Sequence, residues 1–465
     1  MNNLDINKYY PKTLDKTWDV IVIGAGMGGS VLGYEMAKSG KEVLFLEAGH
    51  YLPNVLKDSS DYNWDETDYH VRKKNGHWPS KIKGMTSFGE RDSFVAIGCG
   101  VGGSTSIYAA QLERMHPSDF KPQENFTYKH DANLPESWPI KFKDFEKYYR
   151  LAERMFKVSG TQDPLNIDNK ANLCSPPELT YSNKHLFNDL EKFGLNPYRS
   201  HVACDWLKDC DGCSMVFCTN RCKNDAGKVC IEPALDIYRA EIITNCEVIE
   251  LESNDERVRF VKCKINNDII KLQGKVIILA AGAILTPALL LKSSSKAWPN
   301  GLCNSSNLVG RNLMWHASDV FAIKPKKTFG KYLSKRQITF NDFYFVNGLK
   351  CGNIQEMGYN WFTREKLKSI ILKRLSKFNL IISSDSFLLN TLSYMAEYRF
   401  KGANMFASII EDLPYLDNKV YLNKGEINFN YKYTKELIIR CKALRKQLSK
   451  TIKEKYKLIP LSKTD

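Results

Sequence analysis

At 465 residues the chain is long enough for two or three domains and a large core. Its 43% apolar and 26% charged content exclude a disordered or low-complexity chain. The net charge of +15 would suit an acidic or membrane-surface partner, but the lysines are spread among acids, and neither a C2H2 spacing nor an RNA-recognition motif is present, so no nucleic-acid partner is expected.

The first residues, MNNLDINKYYPKTLDKTWDV, hold acids and no apolar core, so no secretory signal is read and a cytoplasmic location is expected. Asp19 to Gly49 then carries the clearest pattern. Val20 to Ile23 is an unbroken apolar run, as a strand buried on both faces requires. Gly24, Gly26 and Gly29 form G-x-G-x-x-G, with Gly28 beside the last. The first glycine permits a sharp turn, the second lets a pyrophosphate approach the backbone, and the third lets the following helix pack close. The start of that helix offers N–H groups and a positive dipole end to an anion. Val43 to Leu46 predicts a second strand, and Glu47 stands 18 residues after Gly29, about where a ribose-binding acid belongs. An acid here argues against NADP and leaves FAD or NAD.

Residues 51–94 are polar and aromatic with little periodicity, and predict an irregular excursion into a second domain in which His70 and His77 lie at the surface. Gly98, Gly100, Gly102 and Gly103 crowd a loop leading into a helical pattern over Ser104 to Arg114. So bare a backbone lets a planar group or a phosphate come close, so a cofactor-contacting loop is favoured over a mobile turn. Ile140 to Phe156 and Lys184 to Phe193 show helical spacing.

Thirteen cysteines follow two patterns. Cys99, Cys174, Cys246, Cys263, Cys303, Cys351 and Cys441 are scattered and are expected to be buried thiols. Cys210, Cys213, Cys218 and Cys222 stand as C-x2-C-x4-C-x3-C, with Cys204 before and Cys230 after them. Thiolates so spaced can hold zinc or an iron–sulfur cluster, yet the spacing suits neither a zinc ribbon nor a ferredoxin run. Buried thiols or redox-variable disulfides are favoured, and no metal ligand is assigned.

Ala240 to Leu251 predicts two short strands, with further strands at Phe260 to Ile265 and Ile269 to Leu272. Val276 to Ala283 predicts a fully buried strand whose small end, Ala280-Ala281-Gly282, leaves room for a cofactor, followed by a helix from Thr286-Pro287. The 16 apolar residues from Val276 to Leu291 are too short for a membrane span of roughly 20 residues. Later, Gln337 to Phe345 alternates like a strand, Trp361 to Leu392 reads as a helix, and Thr434 to Tyr456 as an amphipathic helix with Leu437, Cys441, Leu444, Leu448 and Ile452 on one face.

The combination resembles the glucose–methanol–choline (GMC) oxidoreductase family, flavoenzymes that oxidise alcohols. Asp19 to Gly49, with its Glu47-Ala48-Gly49 ending, is similar to the family's N-terminal FAD motif, and Gly102-Gly103-Ser104 to its flavin-loop glycines. Tyr108-Ala109 stands where many members have Asn-Gly. The resemblance implies FAD, with a backbone amide near Val248 at the adenine. It further implies that Ala281 and Gly282 lie beside the cofactor, that Val309 to Leu313 with His316 closes the flavin domain, and that Glu411 to Pro414 precedes the last substrate-domain strands. Family members carry a C-terminal histidine segment; here the last histidine is His316, which reads as structural. No catalytic residue is therefore assigned.

The expected architecture is α/β: a Rossmann-like FAD-binding domain (1–50 and 225–320, with a flavin loop at 95–116) and a mixed α+β substrate domain (51–224 and 321–465, with the cysteine-rich segment 204–230). The cofactor-binding set is Gly24, Gly26, Gly28, Gly29, Glu47, Ala48, Gly102, Gly103, Ser104, Val248, Ala281 and Gly282. The expected function is FAD-dependent oxidation of a CH–OH group of a small alcohol, with oxygen or an electron carrier as acceptor. Turnover is expected to be impaired in this chain alone, with a separately encoded C-terminal fragment as a further partner. The alternatives are a silent FAD-binding remnant and a metal-binding cysteine-cluster protein.

Overall fold

The structure, a computed structural model, describes residues 5–57, 61, 68–93, 95–126, 131–166, 170–208, 210, 212–214, 216–327, 335–358, 368, 371–372 and 386–461. The chain divides into two compact units, Met1–Val158 with Val202–Trp315 and Leu413–Thr434, and Ser159–His201 with His316–Asp412 and Lys435–Asp465.

The first unit is organised by a six-stranded sheet. β1 (Thr17–Ile23) pairs in parallel with β2 (Val43–Leu46), placing Val20 opposite Val43, and on its other edge with strand Asp268–Leu279, placing Val20 opposite Val276. Glu241–Ile243 extends the parallel part beyond β2. Val258–Ile265 and Cys246–Ser253 continue it antiparallel on the far side. The period-2 alternation of β1 sends Val20 and Val22 into one core with Phe45 and Ile242, and Ile21 and Ile23 into another with Leu44 and Leu272. Both faces are therefore buried, as the unbroken apolar run predicts. A fully buried side chain such as Phe45 contributes about 1.5–3 kcal/mol relative to exposure.

Between β1 and β2 runs α1 (Met27–Lys38). Gly33 faces the Phe45 ring so closely that a methyl group there would collide with it. The helix axis can approach the sheet only because that side chain is missing.

Several elements differ from the sequence reading. Ile269–Leu272 and Val276–Leu279 are one strand, whose first part pairs with Val258–Ile265 and whose second part pairs with β1. Its last residues have only β1 as a strand neighbour, which leaves Val276 54% exposed instead of fully buried. The next helix begins at Gly282, not Thr286, and Pro287 lies inside it. Residues 51–94 are less irregular than expected. They include a helix, Tyr69–Lys74, and a hairpin, Ile82–Thr86 with Gly89–Ser93, which joins Glu426–Tyr431 and Lys419–Asn423 in a four-stranded sheet. Arg72 explains part of this order, since its guanidinium donates to the carbonyls of Trp78 and Val95 from a buried position. His77 is buried, not at the surface. Residues 51–94, 117–158, 202–224 and 413–434, expected with the second domain, belong to the first unit. Val420 N–H donates to the Gly310 carbonyl at 2.7 Å, and Leu313 N–H to that of Asn418, which stitches the 413–434 segment to it.

The second unit contains an antiparallel sheet in the order Tyr456–Pro460, Ala317–Pro325, Asn404–Ile410, Gly352–Glu356, Ile338–Phe340, Tyr198–Arg199. Helix Lys435–Ile452 packs on it, burying Leu437, Cys441, Leu444, Leu448 and Ile452, the face read from the sequence. Most of the helix expected over Trp361 to Leu392 lies outside the described residues; a helix is described at Phe387–Phe400. Among the described residues no helix is long and apolar enough to cross a membrane.

Candidate functional site

The site forms where β1, β2 and strand Asp268–Leu279 end together. Gly24 turns the chain out of β1 at φ +100°, and an added Cβ there would lie 2.6 Å from the Ala280 carbonyl oxygen. A side chain is excluded both by conformation and by space. Gly29 is closed to a side chain by the Gly24 carbonyl and Ala280. Gly28 is different: nothing lies within 4 Å of the position a Cβ would take. The turn is thus packed behind and open in front. Gly26 caps α1 without a side-chain hydrogen bond, so the first N–H groups of the helix face the open side uncapped by a side chain.

A second glycine loop closes over the first. Gly102 N–H donates to the Ala25 carbonyl at 2.8 Å, and Val101 N–H to that of His50 at 2.9 Å. Gly103 sits at φ +55°, and a Cβ on it would lie 2.6 Å from the Gly26 Cα. The two backbones therefore touch with no side chain between them. The helix expected to run to Arg114 covers only Ser104–Ile107. It stops because Tyr108 turns extended, and its ends are taken elsewhere: the Tyr108 hydroxyl donates to the Asn224 carbonyl at 2.8 Å, while its own carbonyl accepts from Lys223 at 3.0 Å.

These loops wall a cavity of about 330 Å3. Of the residues singled out from sequence, Gly24, Gly26, Gly28, Glu47, Ala48, Gly103, Ser104, Val248, Ala281 and Gly282 line it. Gly29 and Gly102 do not; they stand behind the lining and permit the close contacts that shape it. The sequence reading missed Trp78, Ile97, Thr105, Leu285, Lys292 and Ile427. Lys292, the last residue of helix Gly282–Lys292, is the one with a legible signal, a cation at a helix C-terminus. Trp78 and Ile427 come from segments without a motif.

Glu47 sets the electrostatics. One carboxylate oxygen accepts from Ala25 N–H at 3.0 Å and the other from Gly49 N–H at 2.9 Å. Burial pushes its proton affinity above the ordinary carboxylate value, and the backbone N–H groups of Gly49, Ala25 and Gly100 offset this only in part. A carboxylate offers about four acceptor sites, so capacity remains for hydroxyl donors from the cavity. The arrangement fits a dinucleotide: open backbone at Gly28 and an uncapped helix start for a pyrophosphate, an acid for a ribose, and an apolar floor for a ring.

The cysteine-rich segment lies against this loop from behind. Ala226 N–H donates to the Thr105 hydroxyl at 2.9 Å. None of the thirteen cysteines forms a disulfide. Cys174 and Cys303 are exposed, against the expectation of buried thiols. Among the described residues no group of three His, Cys, Asp or Glu side chains is placed to hold a metal ion. His316, the last histidine, begins the His316–Asp412 segment of the second unit.

Comparison with known proteins fits this geometry. The family model described as GMC oxidoreductase matches residues 18–318. The chain is 26% identical over 324 residues to 6'''-hydroxyparomomycin C oxidase of Streptomyces lividus, covering 66% of this chain and 56% of that one. It is 26% identical over 333 residues to the fructose dehydrogenase large subunit of Gluconobacter japonicus, covering 64% and 58%. The matches thus span little more than half the length of these curated relatives. Among solved structures, formate oxidase of Aspergillus oryzae RIB40 superposes with a TM-score of 0.59 at 14% identity, over 96% of this chain and 84% of that one. Pyridoxine 4-oxidase from Mesorbium loti gives 0.59 at 17%, over 96% and 83%. These two likenesses show a shared fold. GMC oxidoreductases are FAD-binding flavoproteins. With their family model spanning the glycine turn, the second loop and the returning strand, the chain belongs to the GMC oxidoreductase family.

Proposed function

We propose that this chain is an FAD-dependent oxidoreductase acting on the CH–OH group of a small alcohol, with FAD seated in the glycine-walled cavity. The observation that carries the reading is the convergence of the Gly24–Gly28 turn, Glu47, the Gly103-Ser104 loop and the Ala281-Gly282 strand end on one cavity. In this assignment the α1 start and Gly28 receive the pyrophosphate, Glu47 accepts from ribose hydroxyls, and Val248 lies at the adenine. Gly103 and Ser104 would approach the flavin end, and Trp78 and Leu285 would help to exclude water from it. When bound there, FAD supplies a two-electron acceptor for hydride leaving the carbinol carbon. Oxygen or an electron carrier would serve as the final acceptor.

The test uses the purified chain incubated with FAD and freed of excess. One flavin retained per chain is expected, followed by slow bleaching of flavin absorbance when alcohols are added without oxygen. The panel spans sugars, aminoglycosides and diols, since named relatives include a fructose dehydrogenase, a paromamine 6'-oxidase and a 2-methyl-1,2-propanediol dehydrogenase. A chain that retains no flavin overturns the site. A flavin-loaded chain that no alcohol reduces overturns the reaction.

A further inference from the structure

The cysteine-rich segment does nothing in the function proposed above, yet it is the most chemically loaded part of the first unit outside the cavity. Cys204 and Cys210 are both buried, and their sulfurs lie 3.7 Å apart. Trp206 adopts a left-handed φ of +48°, and Cys210 N–H donates to the Leu207 carbonyl at 3.0 Å. Cys204 is held on its other side by a bridge to Lys223, and Asp205 N–H donates to the Cys222 carbonyl at 2.8 Å. Two thiols are thus presented to each other by backbone pinned on both sides.

We propose that Cys204 and Cys210 form a peroxide-reactive dithiol, which closes to a disulfide on oxidation by a hydroperoxide. The chemistry balances without a further reagent. The Cys210 thiolate attacks one peroxide oxygen; the S–O bond forms, the O–O bond breaks, and the departing hydroxide takes up a proton to become water. The Cys204 sulfur then attacks the Cys210 sulfenic sulfur. The S–S bond forms, the S–O bond breaks, and the oxygen leaves as water with the Cys204 proton. Two thiols lose two electrons, and one hydroperoxide is reduced.

The order of roles follows from the hydrogen bond between the pair. With Cys204 as the donor, the S–H···S contact holds the Cys210 thiol below its ordinary range, which places the nucleophilic thiolate at Cys210. The same bond pushes Cys204 up and keeps it a protonated resolving thiol. Closing the bridge moves the sulfurs from 3.7 Å to about 2.0 Å.

The location supplies a reason for such a site. The segment is hydrogen bonded to the cavity loop through Lys223 to the Tyr108 carbonyl and Ala226 to Thr105. Oxygen that accepts two electrons at a flavin becomes hydrogen peroxide, generated one loop away. That source rests on the function proposed above; the dithiol reaction itself needs only a hydroperoxide from anywhere.

The test is a titration of the full-length chain with hydrogen peroxide, quenched by a thiol-alkylating reagent and mapped by peptide mass spectrometry. A Cys204–Cys210 crosslink is expected at about one equivalent of peroxide, before any other cysteine is lost, and reversed by dithiothreitol. In Cys204→Ser, dimedone should trap a sulfenic acid at Cys210. If that variant does not fold, the wild-type map decides alone. First formation of a Cys213–Cys218 crosslink, uniform loss of thiols with no crosslink, or thiols held by stoichiometric iron or zinc would each overturn the proposal. None of these readouts depends on FAD or an alcohol, so failure here is distinct from failure of the proposed reaction.

Discussion

Buried carboxylates in the two units handle charge in opposite ways. In the second unit, Asp319 accepts from the Arg445 guanidinium at 2.6 and 2.8 Å, and both residues are buried. Glu356, fully buried, accepts from Asn183 at 2.8 Å, Asn404 at 2.9 Å and Gln337 N–H at 2.9 Å. Side chains from several elements close these acids in. In the first unit, Glu47 is held by backbone N–H groups alone and lines a cavity. A satisfied side-chain network fixes a core, whereas an acid held by backbone beside open space keeps acceptor capacity for a ligand. The contrast separates architecture from site without any appeal to resemblance.

The largest expected effect lies on the architectural side. Asp319→Ala leaves the Arg445 guanidinium buried without its counter-charge, which should cost about 3–5 kcal/mol. Denaturant unfolding measures it. Flavin retained per folded chain should stay unchanged, because no lining residue of the cavity is touched. A loss below about 1 kcal/mol would show that the pair is hydrated and not a core element.

A smaller effect discriminates within the glycine turn. Gly28→Ala places a methyl group in open space at the second position of α1, so the fold should be unaffected or gain roughly 0.5–1 kcal/mol from helix propensity. The same methyl group enters the path of a pyrophosphate, and FAD affinity should fall about tenfold or more, equal to about 1.4 kcal/mol. Gly29→Ala should do the reverse, failing to fold because its Cβ collides with the Gly24 carbonyl. Thermal melting and flavin titration together separate the two. Equal flavin affinity in Gly28→Ala and wild type would remove the pyrophosphate from this turn.

These pairs also show where the sequence was informative. The β1–α1–β2 unit was legible because three independent patterns agree there: a buried apolar run, glycines at fixed spacing, and an acid at the right distance. Residues 82–93 were not, because the GERDS strand carries no apolar alternation; it is held by pairing with Ile82–Thr86. Val276 was misread because its apolar run implies burial on both edges, and the neighbouring strand departs at Leu272. Trp78 lines the cavity and its carbonyl accepts from the buried Arg72, an interaction between residues with no motif. Local pattern reveals an element and its face; which loops meet over a cavity depends on long-range contacts that leave no local trace.

The finest prediction concerns the Glu47 proton. Burial raises its folded-state value above the ordinary 4.5, so folding without cofactor favours the protonated form. The stability contributed by Glu47 is then fully present below pH 4.5 and is lost as pH rises through the raised value. Glu47→Gln does not titrate, so the wild-type minus variant difference in unfolding free energy should fall as pH rises from 4.5 towards neutrality. Each tenfold change in proton affinity corresponds to about 1.4 kcal/mol. Saturating FAD should shrink that fall, because ribose hydroxyls donating to the carboxylate favour its charged form and return the proton affinity towards the ordinary value. A pH dependence that is the same with and without FAD would mean that the cofactor does not reach Glu47, and that the acid serves only to hold the Ala25 and Gly49 backbone in place.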